Sequence, residues 1–314
     1  MSGKPFQKVA LIGLGLIGGS IAWAARRLDE RPEIVGFARS AASREETRKL
    51  GFCDHVAETM AEAVAGADLI ILCVPVGAMS AVAAEISPHL MDGAVVSDVG
   101  SVKGAVIEAL ADLPERVDVV PAHPLAGTEH SGPSSGFATL YDNRYCLVTP
   151  LPDGNADAVA RVVAFWRSLG ALVEEMEPER HDLVLAVTSH APHLIAYTMV
   201  GVADDMRRVT KSEVIKYSAA GFRDFTRIAA SDPTMWRDVF MTNKDATLEI
   251  LGRFTEELFA LQRAIRTGDG DHLHDYFTRT RAIRRGIIDA GQDTDAPNFG
   301  RAPIPKEPKK DDDT

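Results

Sequence analysis

The sequence predicts an α/β fold in which a doubly wound, mostly parallel sheet precedes an all-helical domain. Short apolar runs alternate with helical stretches from residue 9 to about residue 176, as in βαβ units covered on both faces. A glycine-rich turn joins the first apolar run to the first helical stretch. From residue 179 to about residue 290 the periodicity is helical, without a convincing strand. These observations predict domains at residues 1–177 and 178–290, followed by a tail at 291–314.

Each predicted strand is a short apolar run bounded by turn residues. The runs are Val9–Gly13, Ile34–Phe37, Leu69–Val74, Ala94–Asp98, Val117–Pro121, Tyr145–Thr149 and Leu172–Met176. The intervening stretches have helical spacing, which predicts helices at Ser20–Leu28, Ser43–Leu50, Gly77–Ser87, Val102–Ala111 and Ala156–Leu169.

The second domain is predicted to be built from long amphipathic helices. One runs through Leu183 and Met199, with a kink at Pro192, and two more cover 249–266 and 271–290. Their apolar content is high for a domain of this size, which predicts a homodimer interface, with a monomeric helical cap as the alternative. Residues 291–314 are polar and proline-containing and are predicted to be a disordered tail.

Composition narrows the class of partner. The 314-residue chain has 34 Lys and Arg against 45 Asp and Glu, a net charge of −11, which argues against nucleic acid and anionic membrane surfaces. Its three cysteines have no CxxC spacing, as expected in a reducing compartment. The longest apolar run, around Leu69–Val76, is too short to cross a bilayer. We therefore expect a soluble, cytoplasmic protein.

The glycine-rich turn has the G-x-G-x-x-G spacing of a Rossmann-type dinucleotide loop, formed by Gly13, Gly15 and Gly18. It follows an apolar strand and opens a helix, which is the context that the motif requires. The first glycine allows the tight turn, the second lets the pyrophosphate approach, and the third lets the helix lie close to the strand. The predicted cofactor-binding residues are Gly13, Leu14, Gly15, Leu16, Ile17, Gly18, Arg39, Ser40, Val74 and Pro75.

The end of the second strand bears on the choice of cofactor. An acidic residue that would hold the ribose 2′-hydroxyl of NAD is expected there, but the sequence reads Ala38-Arg39-Ser40. Arg39 could bind the 2′-phosphate of NADP, or it could stack on the adenine while NAD is still accepted. The cofactor is therefore predicted to be NAD(P)+, and the residues slightly favour NADP.

Three segments that follow predicted strands are placed to act on a ligand, because open α/β sheets bind ligands at the carboxyl ends of their strands. They cover residues 72–75, 97–103 and 121–128. His123 lies in the third, before a proline that restricts its backbone. A histidine titrates near neutral pH and suits proton abstraction, although a structural loop histidine would look the same in sequence.

The helical domain carries two further polar clusters. His190 and His193 lie three residues apart on one helix face, but no third ligand stands at helical spacing, so no metal site is predicted. The second cluster, at residues 221–237, is rich in arginine. Arg227 could clamp a carboxylate, or the cluster could be a solvated, salt-bridged helix face.

Taken in order, the motifs GLGLIGGS, DVGSVK, HPLAGTE, SHAPH and GFRDFTRIAASDPTMWRDVF resemble the prephenate/arogenate dehydrogenase family of tyrosine biosynthesis. The resemblance covers about residues 7–290. It implies a Rossmann domain with a helical dimerisation domain, and oxidative decarboxylation of a cyclohexadienol. It also implies His123 as the catalytic histidine, Ser101 as the residue that orients it, and His193, Arg227, Thr128 and Trp236 as substrate-binding residues.

The chemistry agrees with these implied roles. Prephenate is a dianion, so an acidic protein needs local cations, and Arg227, Arg223, Lys103 and the histidines are the candidates. The segment 130–136 is expected to be a loop that could close over the site. Two other functions fit the motifs less well: a β-hydroxyacid or imine reductase of similar build, which would need a catalytic lysine in the helical domain, and a dinucleotide-sensing protein without turnover.

Overall fold

The computed structural model describes residues 4–128, 130–205, 213 and 216–289. Its contacts group the chain into two units, residues 1–251 and 252–314. The tail predicted at 291–314 lies outside the described residues.

The first unit is built on a six-stranded parallel sheet, which confirms the predicted fold class. The strand order across the sheet is β3-β2-β1-β4-β5-β6. Strands β1 to β3 are added toward one edge and β4 to β6 toward the other, and Rossmann-type sheets bind dinucleotides at this switch point between β1 and β4. Ile12 pairs with both Phe37 and Leu72, so the carboxyl ends of the three central strands lie at one edge. The strands are β1 Lys8–Ile12, β2 Glu33–Phe37, β3 His55–Val56, β4 Leu69–Leu72, β5 Val95–Asp98 and β6 Asp118–Val119.

Helices cover both faces of this sheet. Alternate residues of β1 enter different cores: Val9 and Leu11 pack on one face, and Ala10 and Ile12 on the other. This two-sided burial explains why the strands read as continuous apolar runs. The helices are α1 Leu16–Ala25, α2 Ala41–Leu50, α3 Met60–Val64, α4 Met79–Ile86, α5 Lys103–Leu110 and α6 Ala156–Ser168.

A second, three-stranded sheet departs from the prediction. It contains β7 Ala122–Pro124, β8 Tyr145–Val148 and β9 Leu172–Glu175, with β7 antiparallel to β8. The backbone hydrogen bonds between β5 and β6 of the six-stranded sheet continue to Val120, whose N–H donates to Val96 O. They stop at Pro121, which has no N–H. The Pro121 carbonyl accepts instead from Thr149 N at 3.0 Å. The segment 122–124, predicted to be a loop, is therefore a strand.

The helical part of the first unit begins with a 28-residue helix, Pro178–Asp205. It consists of α7 Pro178–Leu185, one π turn at Ala186–His190, and α8 Ala191–Asp205. Pro192 has no N–H and so cannot donate to the carbonyl one turn earlier in the helix. Where a kink was predicted at Pro192, the structure has a π turn that ends two residues before it. By length and composition alone this helix could span a membrane, which the sequence analysis missed. It nevertheless carries His181 and His190 in the protein interior.

The remaining elements of this part are α9 Ala220–Thr226, a 3₁₀ turn at Arg227–Ala230, α10 Pro233–Thr242 and the start of α11 Lys244–Thr267. The side chain of Asp232 caps α10 by accepting from Thr234 N at 2.7 Å and Met235 N at 3.1 Å.

The second unit is described from residue 252 to residue 289. It contains the rest of α11 and α12 Gly270–Asp289, which agree with the two predicted C-terminal helices. Gly268, with φ of 70°, ends α11 in a left-handed conformation. Large apolar side chains are exposed along both helices: Leu258, Phe259, Ile265, Phe277 and Ile283.

Candidate active site

The glycine loop has the shape of a pyrophosphate cradle. Gly13 has φ of 109°, and a Cβ there would lie 2.3 Å from the Cys73 carbonyl oxygen. A Cβ on Gly18 would lie 2.1 Å from the Gly13 carbonyl oxygen. A Cβ on Gly15 would meet nothing within 4 Å, so open space lies over the start of α1. Two glycines therefore serve close packing, and the third leaves room for a phosphate at a helix N-terminus.

The other predicted loop residues differ in exposure. Leu14 is 3% exposed and turns its side chain inward beneath Gly36, which leaves only its backbone for a ligand. Leu16 and Ile17 are half-buried, and the Tyr141 hydroxyl donates to Ile17 O at 2.8 Å, which fixes the first turn of α1. After β4, Val74 is half-buried. Pro75 is exposed.

The turn after β2 is held by a residue that the sequence analysis missed. Arg44 donates to the carbonyl oxygens of Ala38 at 2.9 Å and Arg39 at 3.0 Å, and it pairs with Glu58 at 3.0 Å. Ser40 caps α2 by accepting from Ser43 N at 3.0 Å. The Arg39 side chain is exposed and makes no hydrogen bond or ion pair in the described part of the chain.

The segment 130–136 is anchored on α1 at its C-terminal end. Gly136 lies against the backbone of Gly19, where a Cβ would come within 2.9 Å. The next residue, Phe137, donates its N–H to Ser20 Oγ at 3.0 Å. The C-terminal end of this predicted lid therefore packs against α1.

His123 lies on β7 and is 9% exposed. Its Nδ1 lies 2.9 Å from Nε2 of His181, whose Nδ1 lies 2.8 Å from Oδ1 of Asp182. That carboxylate in turn accepts from Lys103 N at 2.7 Å and Gly104 N at 2.9 Å, at the start of α5. Neither His181 nor Asp182 is among the site residues predicted from the sequence. The only signal available was a His-Asp pair in the first turns of a long helix.

The surroundings keep His123 neutral. Burial lowers the pKa of His123 well below its ordinary value, and the positive charges that His181, Lys103 and His190 can carry act in the same direction. Burial also lowers the pKa of His181, against the effect of its hydrogen bond to Asp182. The structure thus presents a neutral imidazole at the carboxyl edge of the sheet.

Lys103 does not serve as a cation for an anionic substrate, contrary to the expectation from the sequence. Its side chain is fully buried, and Nζ pairs with Asp98 Oδ2 at 2.5 Å and donates to Ala122 O at 2.6 Å. Asp98 Oδ1 accepts from Ala122 N at 3.1 Å. The pair clamps the strand that carries His123, because it bonds both backbone groups of the preceding residue.

The predicted histidine pair packs around Trp236. The His193 ring stacks on the indole with 3.7 Å between centroids, and its Nδ1 lies 2.8 Å from Ser189 O. His190 is buried, and its Nδ1 faces Asn243 Nδ2 at 3.0 Å. The His190 Nε2 and Trp236 Nε1 atoms are buried without a hydrogen-bond partner among the described residues. Among those residues, no cluster of three or more His, Cys, Asp or Glu could hold a metal ion.

The other predicted site residues occupy turns. Arg227 is exposed at the start of a 3₁₀ turn. Burial lowers the pKa of His193, and the Arg227 charge lowers it further, so the two side chains are close enough to interact. Ser101 is half-buried in the turn before α5, and its hydroxyl makes no hydrogen bond in the described part of the chain. Thr128 is exposed and accepts from His130 N at 3.3 Å.

Together these features define a class: nicotinamide-dinucleotide-dependent oxidoreductases with a Rossmann-type domain and a helical second part. Comparison with known sequences identifies the family. Residues 21–175 match the profile "Prephenate dehydrogenase, nucleotide-binding domain", and residues 177–279 match "Prephenate dehydrogenase, dimerization domain". The chain belongs to the prephenate dehydrogenase family, which confirms the resemblance seen in its motifs.

Individual relatives agree with this assignment. The chain is 40% identical to the cyclohexadienyl dehydrogenase of Zymomonas mobilis, over 90% of the chain and 96% of that protein. It is 33% identical to the prephenate dehydrogenase of Bacillus subtilis, over 89% of the chain and 76% of that protein. The crystal structure of prephenate dehydrogenase from A. aeolicus with hydroxyphenyl propionate and NAD+ superposes with a TM-score of 0.83, at 33% identity, covering 90% of the chain and 98% of that structure.

Proposed function

We propose that this protein oxidatively decarboxylates prephenate, arogenate or both, with transfer of a hydride to NAD(P)+. The products would be 4-hydroxyphenylpyruvate from prephenate and tyrosine from arogenate. The observation that carries the proposal is the buried, neutral His123 at the carboxyl edge of a dinucleotide-binding sheet, in a chain of this family. No observation favours the reductase or the non-catalytic sensor.

The reaction needs one base and a well-positioned acceptor. His123 takes the proton of the ring hydroxyl as the hydride leaves the same carbon, C4. The nicotinamide ring, when bound, supplies the hydride acceptor. The ring carboxylate leaves as carbon dioxide, and its C–C bonding pair completes the aromatic ring. The C4 oxygen takes the proton back from His123 to become the phenol, so the hydride, the proton and the carboxylate are all accounted for, and aromatisation makes the step effectively irreversible.

For the substrate we propose the roles that the family implies. Arg227 binds the ring carboxylate through a charge-assisted hydrogen bond, and its electrostatic effect on His193 supports placing both groups at one substrate. His193 contacts the substrate from its stack on Trp236, and Thr128 contributes a hydroxyl from the loop after β7. Ser101 orients His123 and the nicotinamide from the turn before α5.

For the cofactor we propose that NADP is accepted, with a slight preference over NAD. Residues 38–40 carry no carboxylate, and the two exposed residues that follow β2 at the position of the usual acid, Arg39 and Ser40, could both hydrogen-bond a 2′-phosphate. Arg44 holds this turn open by bonding its two carbonyl oxygens. Measuring kcat/KM with each cofactor tests this, and a strong preference for NAD would contradict it.

We further propose that the chain is a soluble, cytoplasmic homodimer with its domain boundary at residues 177/178. The two family profiles adjoin at residue 176, one residue before this boundary, and the second describes a dimerisation domain. The exposed apolar side chains of α11 and α12 supply a surface that a second copy would cover. Sedimentation of the intact chain would show a dimer, and a monomer across micromolar concentrations would contradict this part of the proposal.

The central test is product formation. The purified protein is mixed with prephenate or arogenate and with each nicotinamide cofactor, and absorbance of the reduced cofactor and of the phenolic product are followed together. We expect the two signals to rise in a 1:1 ratio. Comparison of kcat/KM for the two substrates then assigns the preference. Reduced cofactor without an aromatic product, or no turnover with either substrate, would overturn the proposal.

A further inference from the structure

Two side chains outside the five sequence motifs that carry the family resemblance are linked to the proposed base by a chain of short hydrogen bonds. The order is His123 Nδ1, His181 Nε2, His181 Nδ1, Asp182 Oδ1, with separations of 2.9 Å and 2.8 Å. We propose that Asp182 and His181 are positioning residues that hold His123 as the tautomer with a bare Nε2. This inference rests on the proposed function for its catalytic meaning, but the tautomer itself is a property of the protein alone.

The direction of each hydrogen bond follows from Asp182. Its carboxylate can only accept, so the His181 Nδ1 must carry a hydrogen. A neutral His181 then has a lone pair on Nε2 and must accept from His123 Nδ1–H. The remaining nitrogen of His123, Nε2, is left without a hydrogen and is ready to take a proton. One carboxylate thus fixes the proton positions on two imidazole rings.

Asp182 is itself held in its ionised form. Burial raises the pKa of its carboxyl, but hydrogen bonds from His181 and from the backbone N–H groups of Gly104 and Lys103 outweigh burial and leave that pKa below its ordinary value. Both backbone groups belong to the first turn of α5, where a helix favours negative charge. The carboxylate therefore stays an acceptor at neutral pH.

The charges around the two rings favour neutral imidazoles. Facing His123 are His181 from α7, Lys103 from α5 and His190 from the π turn. Facing His181 are Asp182, Lys103 and Asp98. The buried Lys103 and Asp98 compensate each other in an ion pair, so Asp182 is the acceptor that bonds directly to the relay. A second positive charge beside Lys103 would be unfavourable, which opposes protonation of either ring.

Two substitutions at one position separate a positioning role from a packing role. His181→Gln can place a carbonyl oxygen where Nε2 stood and so still accept from His123 Nδ1–H. His181→Leu has a similar volume but no acceptor, which frees His123 to place its hydrogen on Nε2. The same pair of changes at the exposed His89 serves as the matched control. Thermal unfolding of each variant checks that the fold is retained.

The expected kinetic result is a split between kcat and KM. For His181→Leu we expect kcat to fall by roughly 100-fold or more, as when a catalytic histidine loses its correct tautomer, while KM changes by less than about threefold. For His181→Gln we expect kcat within roughly tenfold of the unmodified protein, since the acceptor is kept. Equal losses in the two folded variants, or no loss in His181→Leu, would overturn the proposal.

A measurement that does not depend on turnover completes the test. Long-range ¹H–¹⁵N spectra of the intact, ¹⁵N-histidine-labelled protein distinguish protonated from bare ring nitrogens, and His123→Asn identifies the His123 signals by their loss. We expect a protonated Nδ1 and a bare Nε2. The reverse pattern would refute the relay even if prephenate is turned over. The expected pattern would support the proposed hydrogen-bond chain even if another substrate proves correct. The measurement uses the unmodified protein, so it still tests the proposal if His181→Leu fails to fold.

Discussion

The cofactor loop and the histidine site are built in opposite ways. The loop is one contiguous segment, residues 13–18, and its shape depends on the absence of side chains at Gly13 and Gly18. The histidine site is assembled from β5, β7, α5, α7, the π turn and the C-terminal end of α10, and depends on side chains that are far apart in sequence. A contiguous backbone motif can be recognised from spacing, whereas a dispersed site is defined by contacts that only the fold creates.

The largest effect should come from removing the base at the centre of the dispersed site. For His123→Asn we expect kcat to fall by roughly 10³-fold or more, because a carboxamide cannot take up the hydroxyl proton. Cofactor affinity should be unchanged, since the loop is a separate structure. Steady-state kinetics together with cofactor titration by fluorescence would show this. A near-normal kcat would remove His123 from the mechanism.

The next largest effect concerns substrate binding rather than proton transfer. For Arg227→Ala we expect KM to rise by roughly 10- to 100-fold with a smaller change in kcat, as for loss of one charge-assisted hydrogen bond. Arg223→Ala, at the neighbouring exposed arginine that is the other candidate cation of this cluster, is the comparison, and we expect a smaller rise in KM there. If Arg227→Ala leaves KM unchanged, the carboxylate is bound elsewhere.

The fold could be predicted from the sequence because burial of a strand produces a local pattern of apolar residues. Strands buried on both faces read as apolar runs. Gly13, with φ of 109°, and Gly18, whose Cβ would lie against Gly13 O, are both required by the backbone shape of one βα turn. Prediction failed where a residue's role depends on a distant partner. Lys103 looked like a substrate cation, but Asp98 and Ala122 O engage it in the interior. His181 and Asp182 carried no motif, because their role arises from a contact across 58 residues.

Two glycine substitutions test how the cofactor loop is built. Gly13→Ala places a methyl group against the Cys73 carbonyl oxygen at a φ of 109°, and we expect it to destabilise the fold by ~2 kcal/mol or more. Gly15→Ala meets open space, so stability should be retained while cofactor affinity falls. Chemical unfolding and cofactor titration of the two variants would separate packing from binding. Equal stability of both variants would contradict this division of roles.

The smallest effect concerns pH. Burial lowers the pKa of His123, His181, His190 and His193 below that of a free histidine, and brings His190 to about 4. Each group takes up a proton more readily when the chain is unfolded. The stability that depends on these neutral rings is therefore complete above the ordinary histidine pKa of about 6.5 and is lost as the pH falls toward the folded-state values.

His190 is the clearest single contributor to this pH dependence. It faces Asn243, whose Nδ2 also donates to Asp182 O at 2.8 Å, so the His190 Nδ1 is an acceptor and the ring is neutral. His190→Asn keeps an acceptor at that position but cannot titrate. Between pH 7.5 and pH 4.5 we expect the unfolding free energy of the variant to fall by about 2 kcal/mol less than that of the unmodified protein. Urea unfolding at fixed protein concentration would measure this, and identical pH slopes would show that the folded site tolerates a charged His190.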